Sequence, residues 1–209
     1  MTKLIRTLTQ SALLLLSVLA VHAASPWSVR LRATYLQTVD HSDAFTALGI
    51  HFADNAVAVN DQWIPEIDVD YAFTDTISAE VVLTVPQTQD VSLAGVGKLG
   101  SFKHLPPTLL VQYRANPGGA FRPYVGVGVN FTLIWSDKLA VANVPLGLDS
   151  YSLGLAAQAG ADWKLNEHWS LNVDVKRAAI RSDVYAGGTS LTQARLDPWL
   201  YSVGARYEF

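Results

Sequence analysis

The sequence predicts an all-β protein, an eight-stranded antiparallel transmembrane β-barrel with short periplasmic turns and long extracellular loops. Three observations support this prediction. Eight segments alternate apolar and polar residues with a period of two, which is typical of strands with two chemically different faces. The connections between these segments alternate between short and long. An export signal comes first, and no apolar stretch long enough for a membrane-spanning helix follows it.

The export signal is the most specific feature of the amino terminus. Lys3 and Arg6 precede an apolar run over 12–21 that ends at small residues. This pattern predicts a signal peptide over 1–23 and a single barrel domain over 24–209. A membrane anchor is the alternative, but about ten apolar residues are too few for a hydrocarbon core that takes roughly 20. The chain has no cysteine, so disulfides cannot stabilise it.

The first four predicted strands cover 27–35, 66–73, 77–84 and 108–114. In the first, five apolar residues alternate with serine, threonine and two arginines, and the second and third alternate as cleanly. We expect one face of each strand to meet lipid and the other to point into the barrel. The charged residues on the polar faces are Arg30, Arg32, Glu66, Asp68, Asp70, Glu80 and Arg114.

The last four predicted strands cover 124–132, 153–163, 169–176 and 199–209. Glycines fill part of the polar face of the fifth strand, which weakens strand propensity but suits a tight interior. The sixth, seventh and eighth strands also alternate, although Ala156 and Leu200 are apolar residues on the polar faces of the sixth and eighth. Eight is the smallest usual number of strands for a membrane barrel. The charged residues on these polar faces are Asp162, Asp174, Lys176 and Arg206.

The connections favour a membrane barrel over a soluble sandwich. Short connections at 74–76, 115–120 and 165–168 have turn compositions and are expected on the periplasmic side. The longer connections are expected outside the cell. They lie near 37–62, 86–105, 134–150 and 178–196.

Aromatic residues lie at the predicted periplasmic ends of the strands, on the apolar face. We call this set the aromatic girdle: Trp27, Phe73, Tyr113, Trp163, Trp169, Tyr207 and Phe209. Girdles of this kind are found where a barrel meets the membrane surface. A soluble, lipocalin-like barrel is the alternative, and it would bury the apolar face and expose the polar one.

Several segments resemble the outer membrane protein W family. Residues 103–113, with the sequence KHLPPTLLVQY, resemble the family signature. Residues 121–132 resemble the fifth strand of the family, and 197–209 resemble its last strand. Residues 74–80 with Pro86 are similar to its second hairpin. The likeness follows the chain in order over the whole region after the signal peptide.

The resemblance implies a barrel whose extracellular end extends beyond the membrane and holds a narrow, mainly hydrophobic channel. Members of the family are linked to the passage of small hydrophobic molecules, which would leave sideways into the lipid. In the family, inward positions matching Val82 and Lys176 help to close the lower end of the channel. Some members have an aromatic residue in place of Lys176. Here Asp162, Asp174 and Glu80 favour an ion pair for this lysine.

The candidate channel residues are apolar groups near the expected extracellular mouth. They are Leu48, Ile50, Phe52, Val82, Leu105, Leu110 and Trp135. The alternative is that these side chains only pack the extracellular loops. Pro106 and Pro107 could form a ligand gate, but proline is also expected where a strand begins.

The inward charges are expected to neutralise one another as a structural plug, and an ion-conducting lining is the alternative. Because unpaired buried charges are costly, the arginines at 30, 32, 114 and 206 should find carboxylates. The predicted plug consists of Arg30, Arg32, Glu66, Asp68, Glu80, Arg114, Asp162, Asp174, Lys176 and Arg206.

Other functional classes have little support. The net charge of -3 disfavours a nucleic-acid partner. Ser101 and His104 have no nucleophile-elbow context, so we expect no enzyme. His41 and His51 share a connection with three aspartates, but without tight ligand spacing we expect no metal and no cofactor.

The expected location is the bacterial outer membrane. The expected partners are outer-membrane lipid, small hydrophobic molecules and the outer-membrane assembly machinery, for which the terminal aromatic Phe209 resembles a recognition signal. The alternative function is a structural or receptor barrel whose extracellular loops bind partners without transport. The fold alone cannot separate these two functions.

Overall fold

The computed structural model describes residues 25–47 and 49–209, and these residues form strands joined by turns. The signal peptide predicted at 1–23 lies outside the described residues. No helix in the described part of the chain is long and apolar enough to cross a membrane. The strands are β1 (Trp27–Gln37), β2 (His41–Ser42), β3 (Phe45–Ala47), β4 (Ile50–Phe52), β5 (Val57–Val59), β6 (Gln62–Ala72), β7 (Ile77–Thr84), β8 (Gln87–Leu93), β9 (Gly97–Leu105), β10 (Thr108–Arg114), β11 (Phe121–Val141), β12 (Val144–Leu148), β13 (Tyr151–Lys164), β14 (Trp169–Ala178), β15 (Arg181–Ala186), β16 (Thr189–Arg195) and β17 (Trp199–Glu208).

Eight of these strands form a closed antiparallel barrel. Their order around the wall is β10, β7, β6, β1, β17, β14, β13 and β11, and pairing of β11 with β10 closes the ring. The first and last strands of the chain are neighbours, with Ser28 opposite Glu208. Closure pairs the two outer strands of the eight-stranded sheet with each other, as a membrane-spanning sheet requires. The predicted fold class is confirmed.

The two faces of the wall differ in chemistry. Large apolar side chains point outward, and Val127, Leu153 and Leu155 are 68%, 69% and 76% exposed. Inward neighbours on the same strands are buried and polar, including Asn130 and Gln158. A water-soluble barrel would have the opposite arrangement, because exposed apolar surface is costly in water. The alternation therefore indicates a barrel whose outer surface faces lipid.

The long extracellular connections are largely strands rather than irregular loops. Strand β11 has 21 residues, although a barrel strand needs about 9–11 to cross a membrane. Its upper part pairs with β9 and β12, while β8 pairs with β5 and β9. Strands β15 and β16 form a hairpin that also contacts β12 and β2. The barrel wall thus continues well above the membrane.

The interior changes character along this height. Below, the inward side chains are charged or amide-bearing. Above, they form an apolar core that includes Val91, Phe102, Ile134, Leu139 and Leu146. Because side chains alternate along every strand, each element contributes about half of its residues to this interior.

Candidate functional site: an apolar cavity above a charged plug

The lower interior is filled by paired charges. Among the described residues, six cations and six carboxylates are buried there: Arg30, Arg32, Arg114, Arg122, Lys176 and Arg206 with Glu66, Asp68, Asp70, Glu80, Asp162 and Asp174. Arg30, Glu80 and Asp162 are each 0% exposed. The equal numbers allow the charges to compensate one another, which buried ions require.

Arg30 is the centre of the lower layer. Asp70 and Glu80 stand directly opposite each other on β6 and β7, where like charges repel. Arg30 Nη1 donates to Asp70 Oδ2 at 2.6 Å and to Glu80 Oε1 at 2.8 Å. Its Nη2 donates to Asp162 Oδ2 at 3.3 Å. One guanidinium therefore holds three carboxylates from three strands together.

Glu80 is also bound by two amides. Gln112 and Gln158 each donate from Nε2 to Glu80 Oε2 at 2.6 Å. The Gln158 side chain lies over Gly126, where an added Cβ would be 2.9 Å from Gln158 Cγ. The glycine predicted to suit a tight interior thus provides the space that this amide occupies.

The upper layer of the plug is built on Lys176 and Arg32. Lys176 Nζ donates to Glu66 Oε1 at 2.9 Å and to Asp174 Oδ1 at 2.8 Å. Arg32 Nη1 lies 3.0 Å from Glu66 Oε1 and 2.8 Å from Asp68 Oδ2. The ion pair expected for Lys176 is present, although Glu66 rather than Asp162 or Glu80 shares it with Asp174.

Arg114 is an exception to the expected pairing. Its Nε and Nη2 atoms have no hydrogen-bond partner among the described residues. Arg114 lies at the periplasmic end of the barrel interior, where it lines an open space together with Arg122 and Arg206. Arg206 Nη1 already donates to Asp162 at 2.7 Å. No ion pair to Arg114 is found among the described residues, so the expectation that it finds a carboxylate is wrong; Asp162, which lies near Arg114, pairs with Arg30 and Arg206 instead.

An apolar cavity lies above the plug, inside the extracellular extension. Its volume, counted as the space open to the centres of water-sized spheres, is about 50 Å³. Strands β8, β9, β11, β12, β15 and β16 contribute most of the lining. The only polar side chains of the described lining are His104, Ser182, Thr192 and Thr132. We call this space the upper cavity.

A second cavity, of about 20 Å³ by the same measure, lies below the first, and we call it the lower cavity. The two cavities share Ile180 in their walls. The lower cavity is lined by Val82, Leu36 and Leu200, among others, and reaches Lys176 and Glu66. A charged floor therefore closes an apolar space from below.

The barrel wall has a gap in its hydrogen-bond ladder beside the lower cavity. Pairing of β7 with β10 ends at Val82 opposite Thr108, and pairing of β8 with β9 begins at Gln87 opposite His104. Between these points lie Pro106–Pro107, which have no amide hydrogen to donate. Pro106 also lines the lower cavity. The wall is therefore weakest where the apolar space is adjacent to it.

The predicted channel residues fall into two groups. Phe52, Val82 and Leu110 are buried in the apolar core, at 8%, 3% and 0% exposure, and Val82 lines the lower cavity. Ile50 is 56% exposed at the extracellular tip. Leu48 lies outside the described residues.

Leu105 and Trp135 are wrong as channel-lining candidates. Both belong to the outward face, where Leu105 stands opposite Leu133 and Trp135 opposite Lys103. Their chain neighbours His104 and Ile134 take the inward positions and line the upper cavity. The prediction that Ile50 lines the channel is also wrong, because its side chain is exposed and lines neither cavity.

Sequence reasoning missed most of the upper cavity. Val91, Leu93, Phe102, Leu139 and Leu146 line it from segments treated as loops. The sequence of β8, QTQDVSL, has a period of two that would have predicted a strand, and the structure buries every second residue of it.

The girdle residues are on the outer surface at the end of the barrel with the short turns. Trp27, Trp163 and Trp169 are exposed there. Trp169 packs edge-on against Tyr207 with ring centroids 5.0 Å apart, and Tyr207 packs in the same way on Phe209, also at 5.0 Å. The Phe209 amide donates to the Trp27 carbonyl at 3.3 Å, which ties the last residue to the first strand.

The closed wall, the apolar outer face and the charged interior define a transmembrane β-barrel of the Gram-negative outer membrane. The family model described as OmpW family matches residues 24–209. The chain therefore belongs to the OmpW family, and its predicted family and location are confirmed.

Individual proteins agree with this assignment. Outer membrane protein W of Vibrio cholerae is 35% identical over 166 residues, which cover 73% of this chain and 76% of the relative. The Dibenzothiophene metabolism operon protein PahQ of Pseudomonas aeruginosa is 26% identical over 191 residues, covering 88% and 89%. The crystal structure of the outer membrane protein OprG from Pseudomonas aeruginosa has a TM-score of 0.77 and 29% identity, and covers 90% of this chain and 97% of that chain.

Proposed function

We propose that this protein provides a passive route for small hydrophobic molecules from the cell exterior into the outer membrane. A molecule enters the upper cavity, moves into the lower cavity and leaves sideways between β7 and β10. The protein acts as a channel or binding site and not as an enzyme. The observation that carries the proposal is an apolar space that ends on a charged floor beside a gap in the wall.

The charged floor favours the lateral route over an axial one. An apolar molecule passing downward would have to displace the Lys176–Glu66 pair, whose nitrogen and oxygen are 2.9 Å apart. Separating buried, paired charges is costly, because each is left without compensation. Leaving through the ladder gap moves the same molecule from one apolar environment to another. The axial route breaks buried ion pairs and the lateral route does not, so the lateral route costs less free energy and release into lipid is favoured.

The relatives supply independent support. The name of PahQ places that protein in an operon for dibenzothiophene metabolism. Dibenzothiophene is an apolar aromatic compound, so a hydrophobic solute suits both that context and the cavity described above. We propose that members of this solute class are the molecules that this chain admits.

Uptake of a hydrophobic compound by cells with and without the protein tests the proposal. We expect faster uptake with the protein at limiting compound. Phe102→Asp places a charge in the upper cavity, where Phe102 is 3% exposed, and should reduce uptake to the background rate. Leu99→Trp narrows the same cavity without burying a charge and should reduce uptake partially.

Ile50→Asp is the matched control, since the same kind of change at an exposed tip residue should leave uptake unaltered. Heat-modifiable gel migration reports whether each variant has folded. Equal uptake with and without the protein would refute the proposed route and favour a structural or receptor barrel.

A further inference from the structure

The periplasmic end of the barrel interior has three arginines around one open space, which we call the periplasmic mouth. Arg114, Arg122 and Arg206 all line it, and they are 6%, 5% and 3% exposed. Arg114 stands opposite Tyr124 in the ladder between β10 and β11. Because residues two apart on a strand share a face, Arg122 lies on the same inward face as Tyr124, diagonally across from Arg114. The mouth is therefore lined by a cluster of cations.

Two of these arginines have carboxylate partners. Arg122 Nη1 donates to Glu208 Oε1 at 3.0 Å, and Arg206 Nη2 lies 3.3 Å from the same oxygen. Arg206 Nη1 also donates to Asp162 Oδ2, an oxygen that is 3.3 Å from Arg30 Nη2. Among the described residues, the carboxylates that pair with the cations of the mouth are thus already shared between two arginines each.

Arg114 has no partner of this kind. Its guanidinium donates to no described residue, and its Nε and Nη2 atoms are buried. Water in the open space can hydrogen-bond to the guanidinium but cannot neutralise its charge. Buried polar groups in proteins are almost always hydrogen-bonded, and buried charges are costly unless they are compensated. The exception at Arg114 therefore points to a negatively charged partner from outside the chain.

Other charged side chains at the mouth lie on its exposed rim. Asp75 and Glu167 belong to the short turns and are exposed to solvent, and so is Lys164 at the end of β13. Water and salt screen charges in such positions, so interactions between them are weak. The two rim carboxylates therefore compensate the buried Arg114 poorly.

We propose that the periplasmic mouth is a binding site for an anionic phosphate group, with Arg114 as its principal ligand. A guanidinium forms charge-assisted hydrogen bonds to phosphate oxygens, and these are stronger than bonds between neutral groups. A phosphate group offers several acceptor oxygens in different directions, which suits a space with guanidiniums on more than one strand. The bound anion supplies the charge that Arg114 lacks. The inference is independent of the proposed hydrophobic route, because the charged plug separates the mouth from the two cavities.

Two sources of phosphate are adjacent to the mouth. One is free phosphate in the periplasm, which the open space faces. The other is the headgroup of a phospholipid in the inner leaflet, because the girdle residues Trp27, Phe73 and Phe209 also line the space. Girdle aromatics lie at the level of the headgroups. Both sources present the same chemistry to Arg114, and separate probes distinguish them.

Titration calorimetry of the folded protein in uncharged maltoside micelles tests the inference, at constant ionic strength with chloride as the reference anion. The probes are inorganic phosphate, acetate and dihexanoyl phosphatidylglycerol. We expect inorganic phosphate to bind more tightly than acetate. Arg114→Gln should weaken phosphate binding about tenfold or more, since a hydrogen bond between charged groups contributes at least that factor. Arg114→Lys keeps the charge without the planar guanidinium and should be intermediate.

Arg181→Gln is the matched control. It removes the same charge from an arginine that is 53% exposed on β15, at the opposite end of the barrel, and should bind phosphate like the wild type.

Urea unfolding separates ligand binding from a structural role. Because Arg114 has no ion pair among the described residues, Arg114→Gln should be at least as stable as the wild type in phosphate-free buffer. Added phosphate should then stabilise the wild type more than the variant, since a ligand that binds the folded state shifts unfolding.

The outcomes identify the source or overturn the site. Tighter Arg114-dependent binding of the lipid probe assigns the site to a headgroup, and tighter binding of inorganic phosphate assigns it to the free ion. Equal phosphate binding by the wild type and Arg114→Gln would overturn the proposal, as would binding of neither phosphate probe to the wild type. A loss of stability of Arg114→Gln without phosphate would also overturn it, because the arginine would then have its partner within the chain.

Discussion

Removal of Arg30 is the most direct perturbation of the charged plug. In Arg30→Met, three carboxylates lose their shared partner, but they are not equally affected. Asp162 keeps Arg206 at 2.7 Å, and Glu80 keeps two amide donors at 2.6 Å. Asp70 keeps no side-chain donor, since its hydrogen bond to Arg30 at 2.6 Å is the one it has among the described residues. Most of the destabilisation is therefore expected from Asp70, which becomes a buried carboxylate without a compensating charge.

Breaking a buried ion pair by removing one partner costs about 3–5 kcal/mol. We therefore expect Arg30→Met to lower the free energy of unfolding by about 4 kcal/mol. Arg30→Met/Asp70→Asn removes the uncompensated charge and should recover more than half of this loss. Urea unfolding in lipid vesicles, followed by tryptophan fluorescence and by heat-modifiable migration, measures both values.

The control for this prediction is a solvent-exposed arginine. Arg181 is 53% exposed and lies 3.9 Å from Asp197, so Arg181→Met should change the stability by less than about 1 kcal/mol. A loss below about 1 kcal/mol for Arg30→Met, or no recovery with Asp70→Asn, would refute the view that this ion pairing holds the lower barrel together.

Three further predictions concern other parts of the molecule. Burial lowers the pKa of His104 from 6.5 to about 4 in the folded state. As the pH falls, the unfolded chain therefore takes up a proton at His104 before the folded chain does. The free energy of unfolding should drop by about 3 kcal/mol between pH 6.5 and pH 4. His104→Leu should remove this part of the pH dependence in urea titrations. Gly128→Ala should prevent normal assembly, because an added Cβ would collide with the Leu109 backbone of the paired strand. The amount of folded barrel, measured by heat-modifiable migration, should fall accordingly. Phe209→Ala should lower the assembled yield without altering solute preference, because the ring packs only at the outer surface, and normal yield would remove the proposed role in assembly.

The barrel was predictable because each wall strand has a strict period of two. Arg30 and Arg32 alternate with apolar residues, and this assigns the inside and the outside without knowledge of the partners. Which charges pair depends on the register between strands that are distant in sequence. Arg30 and Asp162 are 132 positions apart, so their contact could not be read from the local pattern.

The extracellular part was harder to predict for two physical reasons. Its strands are broken by turns and by glycines with left-handed backbone, such as Gly95 and Gly97, so the alternation is short. Candidates were also chosen for being apolar, and apolarity does not distinguish the lipid-facing side from the cavity-facing side. Leu105 is apolar yet points outward, while the polar His104 lines the cavity.

The central claim is that solutes leave through the ladder gap, and a reversible cross-link across the gap tests it most directly. The chain has no cysteine, so Thr84→Cys/Pro106→Cys introduces a single pair, at two positions that line the lower cavity on either side of the gap. Val81→Cys/Leu109→Cys is the control, because these residues stand opposite each other within the intact ladder. Uptake should fall when the first pair is oxidised and recover on reduction, with no change in the control. Equal uptake by the oxidised and reduced forms of the first pair, with the cross-link verified, would contradict lateral release at this gap.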